Sequence, residues 1–380
     1  MKSAEGRLDH IDALRGIAAL SVLIYHIYGA AGVATGWSHS LAVIPERLIS
    51  LAIAGVPLFF IISAFTLYLS LEGRVGEEMW ALKFYIRRLF RIAPLFYVLL
   101  ILVVLDALML QDRPLSWREV LANFTFTFNL VPEYAESLFS DGWTVGVEML
   151  FYLVLPGIFL KVNSTMRASL FLLGVWGLSQ EGRALLGSVV GEVAMASTNY
   201  NFYNIFYWAY IFPMGILCYL IYKIHLPRLQ REYRKPVAAV MLSISLIILL
   251  IFINNLSLSI WLSDIYEPLG LLTAWKGMSS IAFALMTLSL SMLPGNRLMV
   301  NGLTRFFGTI SYSLYLLHPF FVEPLTPLYG WLYGHVGSAD LSLLLCVLIT
   351  LIIVTPFSLL THHGIESPGI RLGKRILERL

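Results

Sequence analysis

Apolar residues along this chain come in long, nearly unbroken runs, not in the narrow 3.6-residue stripes of a soluble helix or the alternation of a half-buried strand. Runs near the ~20-residue length that crosses a bilayer recur at 12–30, 48–70, 91–110, 143–161, 168–188, 204–224, 237–254, 269–293, 306–333 and 340–361. The pattern predicts an all-α integral membrane protein of about ten transmembrane helices. The fifth run is weak, because Ser179-Gln-Glu-Gly-Arg183 interrupts it. Between runs the polar segments are mostly short. The longest, Gln111 to Gly142, places Trp117, Phe124, Phe126, Phe128 and Tyr134 among polar residues, which predicts a cap packed over the bundle. No Gly/Ser linker, low-complexity tract or repeat divides the chain, so the expectation is one membrane domain over residues 1–380.

Composition agrees with the pattern. Of 380 residues, 58% are hydrophobic and only 13% charged, against about one quarter charged in soluble domains. This argues for a bilayer as the main partner and against nucleic acid. Cys218 and Cys346 both lie in apolar runs, where neither a disulfide framework nor a zinc site is expected; no metal is predicted. The segment Met1 to Asp9 is too polar for a signal peptide, so the first run is read as retained.

The distribution of charge gives a topology. With the N-terminus inside, twenty of the Lys and Arg residues fall in inside segments, and only Arg47, Arg113, Arg118 and Arg183 fall outside. That asymmetry matches the positive-inside rule and puts both termini in the cytoplasm. Dropping the weak fifth helix would turn every later basic loop outward, so it is kept.

A few polar side chains lie within the apolar runs, where they are costly. Arg15 and His26 share the first run, eleven residues apart; on one helix they lie on one face, roughly 16 Å apart along the axis. Counting from the inner face, Arg15, Arg88 and Arg91 form a cationic inner layer. His26, Glu148 (counted from the outer face) and His318 reach a common outer level. Each has a plainer reading: Arg88 and Arg91 as interfacial anchors, Arg15 as the partner of Asp12 one turn earlier, and His318-Pro319 as a helix kink. Glu148 has the weakest plain reading, because a buried carboxylate needs a partner.

These residues lie in six ordered motifs: Ile11-Asp-Ala-Leu-Arg-Gly-Ile-Ala-Ala-Leu20 with its Arg15-x10-His26 spacing, Gly55-Val-Pro-Leu-Phe-Phe-Ile-Ile-Ser63, Phe84-Tyr-Ile-Arg-Arg-Leu-Phe-Arg-Ile-Ala-Pro94, Trp143-Thr-Val-Gly-Val-Glu148-Met-Leu-Phe-Tyr152, Ser311-Tyr-Ser-Leu-Tyr-Leu-Leu-His318 and Glu366-Ser-Pro368. In that order they resemble the acyltransferase-3 membrane proteins, the O-antigen and exopolysaccharide O-acetyltransferases, over the whole chain. Two departures are visible: Ala64 follows Ser63 where Gly is frequent, and Met149 follows Glu148 where a second Glu is common. The expected form is membrane-only, without the extracytoplasmic hydrolase-like domain of some relatives.

The resemblance implies transfer of an acetyl group from cytoplasmic acetyl-CoA to a hydroxyl of a surface or exported glycan, at a bacterial inner membrane. Arg15, Arg88 and Arg91 would then hold the CoA phosphates. His26 would be the general base, and Glu148 would orient and charge-stabilise its ring, with His318 competing for the base role. Asp12, Ser63, Trp143, Ser311 and Tyr312 are further candidates from the same motifs. The alternative is a secondary transporter or flippase using Arg15, His26 and Glu148 as a substrate and proton pathway. Against it, the two halves lack corresponding broken-helix pairs.

Overall fold

A computed structural model describes residues 8–36, 55–110, 115–191, 200–254, 274–293 and 296–380. All regular structure among them is helical. The helices are α1 (Asp9–Thr35), α2 (Gly55–Glu72), α3 (Trp80–Leu110), α4 (Trp117–Phe124), α5 (Gly142–Lys161), α6 (Thr165–Val190), α7 (Tyr200–Tyr203), α8 (Ile205–Trp208), α9 (Ile211–Ile224), α10 (Arg231–Asn254), α11 (Ala274–Met292), α12 (Gly302–Thr309), α13 (Ser311–Leu317), α14 (Pro319–His335), α15 (Ala339–Thr361) and α16 (Ser367–Leu377).

Every apolar run carries a helix, although residues 48–54 and 269–273 of the second and eighth runs lie outside the described residues. Among those residues, seven helices are long and apolar enough to cross a membrane. The chain is thus an all-helical, multi-pass membrane protein. The ninth run is divided into α12, α13 and α14 at Ile310 and at His318. Pro319 explains the second break, because it has no N–H to give and is favoured in the first turn of a new helix. Many Leu and Ile side chains remain exposed, among them Leu108 at 66% and Ile352 at 72%. Lipid tails solvate such side chains, so burying them gains little.

The described chain groups into two compact units interleaved in sequence, residues 1–63 with 218–359, and residues 64–217 with 360–380. In the first, Leu23, Ile27 and Ala31 of α1 pack with Val322, Tyr329 and Leu332 of α14 and with Leu343 and Cys346 of α15. Tyr329 Oη and Thr350 Oγ1 are hydrogen-bonded at 2.6 Å inside this core. Helices α10 and α11 are joined by Ser245 Oγ donating to Ala282 O at 2.7 Å and Ser289 Oγ donating to Ala238 O at 2.8 Å. Small residues and hydroxyls at such a contact let two backbones approach within lipid.

The second unit contains α3, the cap, α5, α6, α8 and α16. The cap packs as expected, with Phe126 and Phe139 against Phe96 of α3 at ring-centroid separations of 4.7 and 5.0 Å. Its turns are tied by Asn123, whose Oδ1 accepts from Ser137 Oγ at 2.6 Å and from the Leu138 N–H at 3.1 Å.

Candidate active site

Helix α1 carries three of the expected site residues. Near its start, Arg15 Nη1 lies 3.6 Å from Asp12 Oδ1, the pairing expected from their spacing. This end of α1 is fixed by an unusually close crossing with α12. A Cβ at Gly16 would collide with the Thr304 carbonyl, and one at Gly308 with the Asp12 carbonyl. Only two glycines allow the backbones to meet there. Arg305 adds an exposed ion pair to Asp9 at 2.7 Å.

Further along α1, His26 meets His318, which is fully buried. His318 Nδ1 lies 2.7 Å from the Tyr315 carbonyl. His318 Nε2 is 3.1 Å from His26 Nδ1, which is also 3.0 Å from the Val22 carbonyl. Carbonyls only accept, and a neutral imidazole carries one proton. With both rings neutral, His318 therefore donates from Nδ1 to Tyr315 and accepts at Nε2. His26 donates from Nδ1, which makes its Nε2 the basic nitrogen. The helix break at His318 coincides with the place where its ring meets α1.

The remaining candidates are placed as follows. Ser311 is buried and donates to the Gly308 carbonyl at 3.0 Å, closing the turn between α12 and α13. Tyr312 and Ser63 are half-buried on α13 and α2. Trp143 stands in an aromatic cluster with Phe202, Tyr203 and Trp208 at 5.1, 5.6 and 5.0 Å, an arrangement that packs the start of α5. On α5, Glu148 Oε1 accepts a 2.5 Å hydrogen bond from Tyr152 Oη, one turn away.

Arg88 and Arg91 line a cavity of about 420 Å³ in the second unit, together with Arg74, Lys83, Arg87 and Lys374. Its second wall is α16. Gly369 and Gly373 rest on Pro94 and Phe90 of α3, so closely that a Cβ at either would collide with those side chains.

The structure adds three features to the sequence reading. Arg74, Lys83 and Lys374 entered it as inside charges, and Arg87 also within the Phe84–Pro94 motif; their convergence depends on the Gly369-x-x-x-Gly373 spacing, the one available signal. Glu366, buried to 3%, accepts from His362 Nδ1 at 3.0 Å within a stretch of π-helix. Lys276 on α11 is buried to 1%, inside the 269–293 run, and the sequence reading gave it no role.

A family profile described as an acyltransferase domain, acyltransferase-3, matches residues 8–363. The chain belongs to the acyltransferase-3 family. No curated protein and no solved structure matches it. As an acyltransferase-3 protein it is a multi-pass membrane acyltransferase.

Proposed function

We propose that this protein transfers an acetyl group from cytoplasmic acetyl-CoA to a hydroxyl of a cell-surface or exported glycan, at the inner membrane. The observation that carries the reading is the His26–His318 hydrogen bond. A sugar hydroxyl is a weak nucleophile at neutral pH, and an oriented neutral imidazole is the side chain suited to take its proton. His26 Nε2 accepts that proton as the hydroxyl oxygen bonds to the thioester carbon. The carbon–sulfur bond then breaks, and the proton passes from His26 to the departing thiolate. While His26 is charged, its Nδ1–H faces the acceptor nitrogen of His318, which holds the ring in place and spreads the charge.

Arg15, Arg88 and Arg91 are the proposed donors to the CoA phosphates, for which guanidinium forks are suited. The pantetheine arm is of order 15–20 Å, comparable with the roughly 16 Å between Arg15 and His26 on a helix. Glu148 is proposed as the second catalytic group, its carboxylate held by Tyr152. Family membership favours this reading over a transporter.

The test is direct. Purified protein, given radiolabelled acetyl-CoA and glycan from cells lacking the gene, should label the glycan, and His26→Ala should not. Equal labelling by the His26 variant would overturn the base assignment. Failure of acetyl-CoA to raise the thermal stability of the wild type would remove the donor, because a ligand specific for the folded state stabilises it.

A further inference from the structure

Helix α16 has three sides of different character. On the first, Gly369 and Gly373 rest on Pro94 and Phe90 of α3, and Ile370, Lys374 and Leu377 turn toward the cavity between the two helices. The second carries Leu372, Ile376 and, in the terminal turn, Leu380 at i, i+4, i+8. Leu372 is 50% exposed and Leu380 48%, so this apolar stripe is left largely uncovered. The third carries Arg371, Arg375 and Arg379 at the same spacing, all of them exposed.

The arginine stripe has no local answer. Like charges four residues apart on a helix repel one another, and among the described residues none of the three arginines forms an ion pair. The stripe also follows closely on a membrane-crossing sequence: only the five residues of π-helix His362–Glu366 separate α16 from α15 and its apolar run. A second copy seated here by two-fold symmetry would set arginine against arginine. An anionic bilayer surface answers both stripes at once, with phosphate for the guanidinium groups and acyl chains for the leucines. A basic cluster beside a crossing helix is the form such recognition takes.

We propose that this side of α16 is a binding surface for anionic phospholipid. Arg371, Arg375 and Arg379 hold headgroup phosphates, while Leu372 and Ile376 enter the boundary of the acyl chains. The surface lies across the helix from the cavity, and it does not depend on which group the protein transfers. The C-terminal helix is then held from two sides, by α3 through its glycines and by the bilayer through its arginines.

The experiment uses the full-length protein. Purified in detergent with mixed phosphatidylglycerol and phosphatidylcholine, it is weighed by native mass spectrometry with the lipids it retains. The wild type should retain phosphatidylglycerol in preference. Arg371→Gln, Arg375→Gln and Arg379→Gln should each lower that preference about fivefold, the effect of one cation near an anionic surface. Lys374→Gln, on the cavity side, should leave it within about twofold. In nanodiscs of the same lipids, a fluorophore attached at Leu372→Cys should be quenched by phospholipids brominated on their acyl chains. Cys218 and Cys346 are both buried, which confines labelling to position 372. A preference that survives all three arginine changes, or falls as far in Lys374→Gln, would overturn the surface, and so would an unquenched probe. Disulfide cross-linking of Leu372→Cys between two copies would give the face to self-association and refute the lipid assignment.

Discussion

His318 Nε2 lies 3.1 Å from Nδ1 of His26, across 292 residues of sequence. The second ring occupies the position behind the proposed base where acyl-transfer enzymes commonly place an orienting acceptor. His318 is thus a positioning residue in the proposed mechanism. His318→Gln keeps an acceptor near His26 and should retain more activity than His318→Leu. Both should reduce kcat with little change in the KM for acetyl-CoA, whereas His26→Ala should cost on the order of 10²- to 10⁴-fold. Equal kcat in the Gln and Leu variants would reduce His318 to packing.

Glu148 gives a second prediction. Glu148→Gln should preserve the fold, since Tyr152 can donate equally well to an amide oxygen, and should lower kcat. Glu148→Ala should cost more, because it also leaves the Tyr152 hydroxyl without its acceptor. Full transfer activity in Glu148→Gln would leave Glu148 with a structural part only.

The crossing of α1 and α12 should be more sensitive than the ion pair beside it. Gly308→Ala puts a methyl group against backbone that cannot retreat without parting the helices, and overpacking of this kind costs roughly 1–3 kcal/mol or more. Arg305→Ala removes an exposed pair to Asp9, worth about 0–1 kcal/mol. Thermal unfolding of the two variants in detergent checks the order. A larger loss for Arg305→Ala would contradict the tight crossing.

Arg15→Ala should weaken acetyl-CoA binding more than it weakens acceptor use. Loss of a desolvated ion pair to phosphate costs on the order of 2–5 kcal/mol, and much less if the pair is exposed. Asp12→Asn, which removes the carboxylate 3.6 Å from Arg15, should leave the guanidinium available and change affinity by less. Isothermal titration with both variants distinguishes the roles; unchanged affinity in Arg15→Ala would return Arg15 to its pairing with Asp12.

The topology is tested by labelling. A cysteine at position 118 should react with an impermeant reagent added outside the cell, and a cysteine at position 231 should not. The reverse pattern would overturn the inside placement of the basic segments and with it the cytoplasmic donor.

Much of the fold is legible in the sequence because the bilayer imposes a simple rule. Backbone polar groups must be satisfied within each crossing segment, so a long apolar run implies a helix. Each apolar run carries helix among the described residues, and seven helices there are long and apolar enough to cross a membrane. The ninth run resisted, because hydropathy does not register that Ile310 and His318 each end a helix. The seven spans that qualify by length and apolarity also show the limit of counting runs: α6 and α11 contain Arg183 and Lys276, and the ninth run is broken. The shared helix of Arg15 and His26 and the Asp12–Arg15 pair were readable because helical spacing is a local property.

The sequence by itself determined the class of protein, its helical segments and the motifs that carry its chemistry. Each of these depends on neighbours along the chain or on transfer from water to lipid, summed residue by residue. Only the tertiary structure decided which side chains meet. His318 reaches His26 because a proline restarts the helix at the right place. Lys374 joins Arg91 because Gly369 and Gly373 let α16 lie directly on Phe90 and Pro94. Such contacts depend on the absence of side-chain volume between helices distant in sequence, and hydropathy does not record that absence.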